Sequence, residues 1–463
     1  MSPLFASMDP IAWSWAAVGI VFGSAGMSAA IALATWVLGI PLQESTRNQI
    51  TRLSQCCAVF ASAALVALQR GPLQGDPLVA SISWLPEDLP GARMGIAIDL
   101  LGASCILGVT TLLGVVQHFS YRYLHDDPGN PRFFFLLALF QLGMLLLIGS
   151  SHLIGVVGGW ELVGVSSALL IAYFHERREP VSNALLAFGS YRVCDVGLLL
   201  ASALLVHALG NPMVLDIGQT ASHSSAHAGE LQAAALLLVV ASLGKSAQLP
   251  VSPWLPRAME GPTPSSAIFY GALSIHAGAY LLVRASPILE GSPLARMSLI
   301  VLGATTAVYA GMVGRSDSDV KARLAHASMA QAGVVLAEIG LGLSTLAVWH
   351  LGAHACLRTW QILRAPSALH HAHGAAATGL RASALPLARG LAGGNISFRT
   401  RLYLRRLDRF GLDHFLRRVA GRPVDAAARL LMRCDPWSAP PAPALVGPMR
   451  DHTSVVLDSG RLR

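Results

Sequence analysis

The sequence predicts an all-α, polytopic transmembrane bundle of about eleven helices, and three observations carry that reading. Of 463 residues, 53% are hydrophobic and only 13% are charged, against about 25% charged in an ordinary soluble domain. Apolar runs long enough to cross a hydrocarbon layer of ~30 Å recur along most of the chain. The proline-rich stretch from Pro250 to Pro264 interrupts one of them, so one helix is expected to be broken.

The apolar runs fall near 11–39, 52–69, 94–117, 132–150, 152–173, 182–209, 231–249, 266–286, 294–313, 325–343 and 344–364. Several are joined by short polar links such as Tyr121–Pro128 and His175–Pro180. The first run has Asp9 and no basic segment before it, so a retained span is expected and not a cleaved signal. Three regions are expected: N-terminal helices over 1–90, a conducting core over 91–365, and a basic cytoplasmic tail over 366–463. In the tail, Leu402–Leu431 mixes leucines with Arg405, Arg406, Arg409, Arg417, Arg418 and Arg429. That pattern suits amphipathic helices on anionic lipid or on a partner, with a disordered basic tail as the alternative. Pro436, Pro440, Pro441, Pro443 and Pro448 mark a loose end.

The net charge of +8 does not indicate nucleic acid, because the basic residues sit in loops and the tail and are not clustered with aromatics. Membrane orientation explains them better, with the chain placed as a multi-pass protein of the cell inner membrane. The six cysteines show no paired metal-ligand spacing. No cofactor, nucleotide site or catalytic nucleophile is expected, and the chain is not expected to be an enzyme in its own right.

Charges inside the apolar runs carry the functional reading, since a charge in hydrocarbon is costly. Glu161 lies mid-run in Gly159-Trp160-Glu161-Leu162-Val163-Gly164, and Lys245 lies near the end of the 231–249 run. Of 33 lysines and arginines only Lys245 and Lys321 are lysine. Lysine can release its proton when buried, whereas arginine stays charged. Glu161 and Lys245 are therefore expected to relay protons, against the alternative of a fixed ion pair between helices. Lys321 is a weaker candidate beside a polar connection. His350, His354 and Arg358 are spaced four residues apart and share a helical face. Histidine titrates near neutral pH, so the pair is expected to pass protons. The His-x-x-x-His spacing also suits zinc, but no third ligand is evident and no metal is expected. His276, Glu338, Asp99 and Asp195, with Arg192 close to Asp195, add titratable groups on spans.

Taken together, Trp160-Glu161 with Gly164, Tyr191–Gly197, Gly244–Gln248, Trp254–Pro264, Asp319-Val320-Lys321 with Leu324-Ala325, and His350 with His354 resemble a known family. They are similar to the antiporter-like chain 5 (chain L) of respiratory NADH–quinone oxidoreductase, over roughly residues 90–365. The resemblance implies that Glu161 and Lys245 form the central proton-transfer pair and that His350 and His354 continue the path. The sequence departs from that pattern at Arg358, where the family has a lysine, and around Tyr270 and His276. No further span follows Arg364, so a truncated second half is expected. With Phe269–Ser274 and Leu363–Ser367, these departures resemble the membrane subunit of DAB-type dissolved-inorganic-carbon accumulation complexes. That resemblance implies a large cytoplasmic, zinc-dependent, carbonic-anhydrase-like partner that turns CO2 into bicarbonate at the expense of a proton or cation gradient. A respiratory subunit, a cation/proton antiporter and an inert membrane anchor remain the alternatives.

Overall fold

In a computed structural model of the chain, the described residues are 9–83, 93–210, 213–217, 227–365, 398–416 and 418. The tail prolines, Cys434 and most of the arginine–leucine stretch beyond residue 416 lie outside them, as do the side chains of Tyr270 and Arg399.

Among the described residues, nine helices are long and apolar enough to span a membrane. They are α1 (Pro10–Trp36), α2 (Glu44–Arg70), α3 (Leu100–Tyr123), α4 (Asn130–Gly149), α5 (Leu153–Ile171), α6 (Arg178–Leu209), α7 (Ala228–Lys245), α8 (Thr263–Arg284) and α9 (Pro293–Val313). Two more, α10 (Val320–Gly340) and α11 (Ser344–Arg364), have the length, at 21 residues each, but carry more polar residues. Each of the eleven expected apolar runs lies largely on one of these helices, and the chain is a multi-pass membrane protein. Helices dominate for a physical reason: without water, every backbone N–H and C=O must find its partner within the chain.

The helical bundle carries one small hairpin. Leu78–Ser83 and Arg93–Ile98 form an antiparallel hairpin in the register Leu78↔Ile98 to Ser83↔Arg93. The apolar run from residue 94 is therefore split between a strand and α3. Asp99 makes the division by capping α3, accepting from the Gly102 N–H at 2.7 Å. Arg284, at the far end of α8, forks onto the same carboxylate with two bonds of 2.6 Å. Its Nε donates to the Tyr280 hydroxyl at 2.9 Å, and Tyr280 donates to the Ile148 carbonyl at 3.0 Å. One clamp thus fastens α8 to α3 and α4.

The helix break also differs in detail from the expectation. Between α7 and α8 the prolines leave only short turns, Trp254–Arg257 and Ala258–Glu260. The helical pattern is then disturbed a second time, inside α8, where Ala267–Ala272 is π-helical and Leu273 departs from helical geometry (φ −120°, ψ −58°). Such bulges inside helices are frequent at functional sites. α8 is central, with 94% of its apolar window buried. It packs on α7, α10 and α11, while α6 packs on α7 and α9 on α10.

Small residues permit the closest of these crossings. A Cβ built on Gly333 of α10 would lie 2.5 Å from the Gly303 carbonyl oxygen and 3.0 Å from Ala307 N on α9. Neither backbone can yield without parting the helices. Gly333→Val is therefore expected to lower thermal stability, overpacking of this kind costing about 1–3 kcal/mol. A melting curve of the detergent-purified protein checks it, and an unchanged midpoint would contradict the packing described.

Candidate functional site

Among the described residues, most of the expected titratable side chains gather in two groups. The first joins α5, α6 and α7. Glu161 on α5 pairs with Arg192 on α6. Arg192 also donates to Asp195 Oδ2 at 2.6 Å, and the Trp160 indole N–H donates to the other oxygen of Asp195. Arg192 thereby holds two carboxylates, one on its own helix and one on the next. Lys245, the last residue of α7, is 0% exposed. Its Nζ donates to the Trp160 carbonyl at 3.0 Å and lies 4.7 Å from the Tyr191 ring centroid and 5.2 Å from that of Trp160.

This arrangement bears on the fixed-ion-pair alternative. Among the described residues Lys245 makes no ion pair; Glu161 is taken by Arg192 instead. The ammonium is held by a carbonyl and two aromatic faces, a seat that stabilises positive charge without a bound carboxylate. Gly164 creates the space, since a Cβ there would stand 2.7 Å from Lys245 Nζ.

The second group joins α8, α10 and α11. His354 and His276 meet on facing helices, Nδ1 to Nε2 at 2.9 Å, and His276 Nδ1 lies 2.6 Å from the Ala272 carbonyl. A carbonyl only accepts, so His276 Nδ1 bears the proton; in a neutral ring Nε2 then accepts from His354 Nδ1. His354 Nε2 is left as a buried acceptor with no partner among the described residues. His350 Nδ1 donates to Glu338, 3.0 and 3.1 Å from its two oxygens. His350 Nε2 faces Gln331 Oε1 at 2.8 Å. An imidazolium donates to both partners, whereas a neutral ring accepts from the Gln331 amide once it is turned round. Amide rotation lets this site hold either form. The two rings on α11 do not hand over directly: their centroids are 6.5 Å apart and each bonds to a different neighbouring helix.

Arg358 is 7% exposed and donates to Gln361 Oε1 at 2.7 Å. Lys321 stands apart from Lys245, at the start of α10, and donates to Thr263 Oγ1 at 2.9 Å.

A seam of buried polar atoms lies on the turn after Lys245 and on the facing parts of α8 and α10. The turn after Lys245 presses Ser246 against α8 and Gln248 against α10: a Cβ on Gly278 would lie 2.6 Å from Ser246 Oγ, and one on Gly333 3.3 Å from Gln248 Oε1. Ser246 Oγ, Gln248 Oε1, Ser274 Oγ and Ser328 Oγ are all buried without a partner among the described residues. Buried polar atoms are normally satisfied by protein or water. Sequence reasoning missed Gln331 and the role of Arg192, and it named Tyr191 and Gln248 only as motif residues without a role. The signal for Arg192 was present, as an arginine and an acid on neighbouring spans.

Comparison with known proteins identifies the family. The family model "NADH:quinone oxidoreductase/Mrp antiporter, TM" matches residues 150–384. A second, for the N-terminus of chain 5 of NADH-ubiquinone oxidoreductase (complex I), matches residues 84–134. NADH-quinone oxidoreductase subunit L of Rhodobacter capsulatus is 34% identical over 307 residues, covering 63% of this chain and 43% of that protein. NAD(P)H-quinone oxidoreductase chain 5 of Picosynechococcus sp. is 34% identical over 354 residues, 73% of this chain and 53% of the relative. The chain thus spans about half the length of the curated relatives it matches. The Mrp complex from Dietzia sp. DQ12-45-1b contains a chain of similar structure, with TM-score 0.64 and 27% identity over 75% of this chain and 37% of that one. The membrane-bound sulfane sulfur reductase, an archaeal respiratory complex, shares the fold at TM-score 0.65 and 17% identity, covering 75% of this chain and 70% of that one. This chain belongs to the NADH:quinone oxidoreductase/Mrp antiporter family, as an antiporter-like membrane subunit.

Proposed function

We propose that the chain conducts protons across the membrane through its 91–365 core, and that this flux drives a large cytoplasmic, zinc-dependent, carbonic-anhydrase-like partner converting CO2 into bicarbonate. The observation that carries the conduction reading is the buried, unpaired Lys245 at the mouth of a seam of buried polar atoms. In this reading Glu161 and Asp195 feed Lys245 whenever Arg192 releases one of them. Lys245 passes the proton into the seam. The histidines then carry it on, with Arg358 keeping a second positive charge out of their neighbourhood. Lys321 lies near the entry of α8 and adjusts the potential there.

The partner reading is supported by the resemblance of Phe269–Ser274 and Leu363–Ser367 to inorganic-carbon complexes, and by the tail. In this reading residue 365 ends the last crossing on the face that bears Arg122, Arg132, Arg177, Arg315 and Arg323, taken as cytoplasmic by the positive-inside rule. Helix α12 (Phe398–Leu407) leads into a turn that docks on the core. Asp413 accepts from Arg257 at 2.6 Å and from Arg409 at 3.3 Å, and Phe410 lies against Tyr309 with ring centroids 6.1 Å apart. Arg257 belongs to the short turn that follows Lys245, so a protein held by the tail has a mechanical link to the site. A second reading, a subunit of a respiratory oxidoreductase or of a cation/proton antiporter, is favoured by the likeness to subunit L and to the Mrp complex. Isolating the complex separates them: a co-purifying soluble zinc protein supports the carbon reading, and flavin or iron–sulfur subunits, or sodium-dependent transport, overturn it.

Three outcomes are expected. Lys245→Ala abolishes growth at low CO2 and proton uptake by membrane vesicles while the protein remains inserted; full activity at normal protein levels would refute the relay. Glu161→Gln is as damaging as Lys245→Ala, and the double variant is little worse than either, because groups acting as one unit are not additive. Losses that instead sum, measured as vesicle proton uptake, would assign the two residues independent roles. Asp413→Arg weakens co-purification of the soluble partner, and adding Arg257→Asp restores it. Unchanged co-purification of the single variant would remove the tail from the interface.

A further inference from the structure

We propose that His207, His227 and Glu230 form a binding site for a divalent transition metal on the membrane face opposite the arginine-rich loops. His207 lies in the last turn of α6, ahead of the left-handed Gly210 (φ 70°). His227 caps α7, and Glu230 follows in its first turn. The 2.9 Å separation of His207 Nδ1 from Glu230 Oε2, and the 3.2 Å separation of His227 Nδ1 from Glu230 Oε1, bring two imidazoles onto one carboxylate. The three donor atoms all lie within 4.8 Å of one another. The rings stand edge to face, 6.1 Å apart at 89°, with each Nδ1 turned to one oxygen of the same carboxylate.

The spacing fits a small ion. Zinc bonds of ~2.0–2.1 Å to nitrogen and ~2.0–2.2 Å to oxygen place tetrahedral ligand atoms roughly 3.3 Å apart. The two short contacts run to different oxygens of Glu230, so for either oxygen one edge already matches. The other two, no longer than 4.8 Å, close by rotation of His207, whose side chain is 72% exposed. His227 and Glu230 are separated by three residues at a helix start, which fixes two ligands on one face. Two imidazoles with one carboxylate select zinc, nickel or copper over calcium or magnesium, which prefer all-oxygen sets. A fourth position stays open to solvent, so the ion would exchange.

The site is independent of the proton seam. Lys245 is fifteen residues along α7 from Glu230, ~23 Å at 1.5 Å per residue. Yet the ion would join the outer ends of α6 and α7, the helices that carry Arg192, Asp195 and Lys245. Bound metal therefore stiffens the frame of the first polar group without touching it, and its mass-action stabilisation should appear as a higher melting temperature.

The test uses the full-length protein with its co-purifying subunits, isolated on a tag without histidine and stripped with chelator. Zinc chloride alone is titrated, with calorimetry, bound-metal analysis and melting temperature as readouts. Loss of one saturable micromolar site per chain, and of its melting shift, is expected in His207→Ala and Glu230→Gln, each weakening affinity by about tenfold or more. His350→Ala should bind as the parent does. Absence of saturable binding, or binding that survives both His207→Ala and Glu230→Gln, would overturn the proposal. Zinc that disappears with His350→Ala instead would move the site into the bundle and overturn it equally.

Discussion

Everything in the core depends on keeping one ammonium group inside a membrane. A charge at mid-bilayer costs several kcal/mol when isolated, and Lys245 is fully buried. The fold meets that cost locally. α7 stops at Lys245, so the ammonium sits where the helix ends and polar backbone is near. Trp160 offers a carbonyl, Trp160 and Tyr191 offer ring faces, and Gly164 leaves the space. The nearest carboxylates are engaged by Arg192, so the lysine is stabilised without being locked into a salt bridge. A lysine locked in that way would hold its proton too firmly to pass it on.

The irregular stretch of α8 lies where that helix meets α10 and α11, not against α7. The π-helical Ala267–Ala272 and the departure at Leu273 free the Ala272 carbonyl, which then fixes His276 in one orientation. His276 in turn positions His354 on the neighbouring helix. The Asp99–Arg284 fork holds the end of α8 firmly, so the irregularity is confined to the segment that faces the site.

Much of this was legible in the sequence because hydrocarbon makes polar residues conspicuous. Glu161, Lys245, His276, Glu338, His350 and His354 stood out as titratable groups within apolar runs. The spans themselves were visible for the same reason. What was not legible lay between helices. That Arg192 rather than Lys245 takes Glu161 depends on how α5, α6 and α7 pack, which no spacing along the chain encodes. The shared face of His350 and His354 was real, but the bonds cross to α8 and α10 instead of running along α11. The hairpin was hidden because Arg93–Ile98 reads as the first turn of an apolar helix; only Asp99, as a cap, marked the division. His207 and Glu230 escaped notice because they sit at the ends of two spans separated by a polar link.

The central claim is that Lys245 must lose and regain its proton, and Lys245→Arg tests it most directly. Arginine keeps the positive charge and can still meet a carbonyl and two rings, but it does not release a proton in proteins. Proton uptake should be measured in membrane vesicles containing the full-length variant with its partners, at matched protein level. The account predicts that uptake falls to background. Uptake close to that of the unaltered protein would show that a fixed charge is sufficient and would contradict the relay.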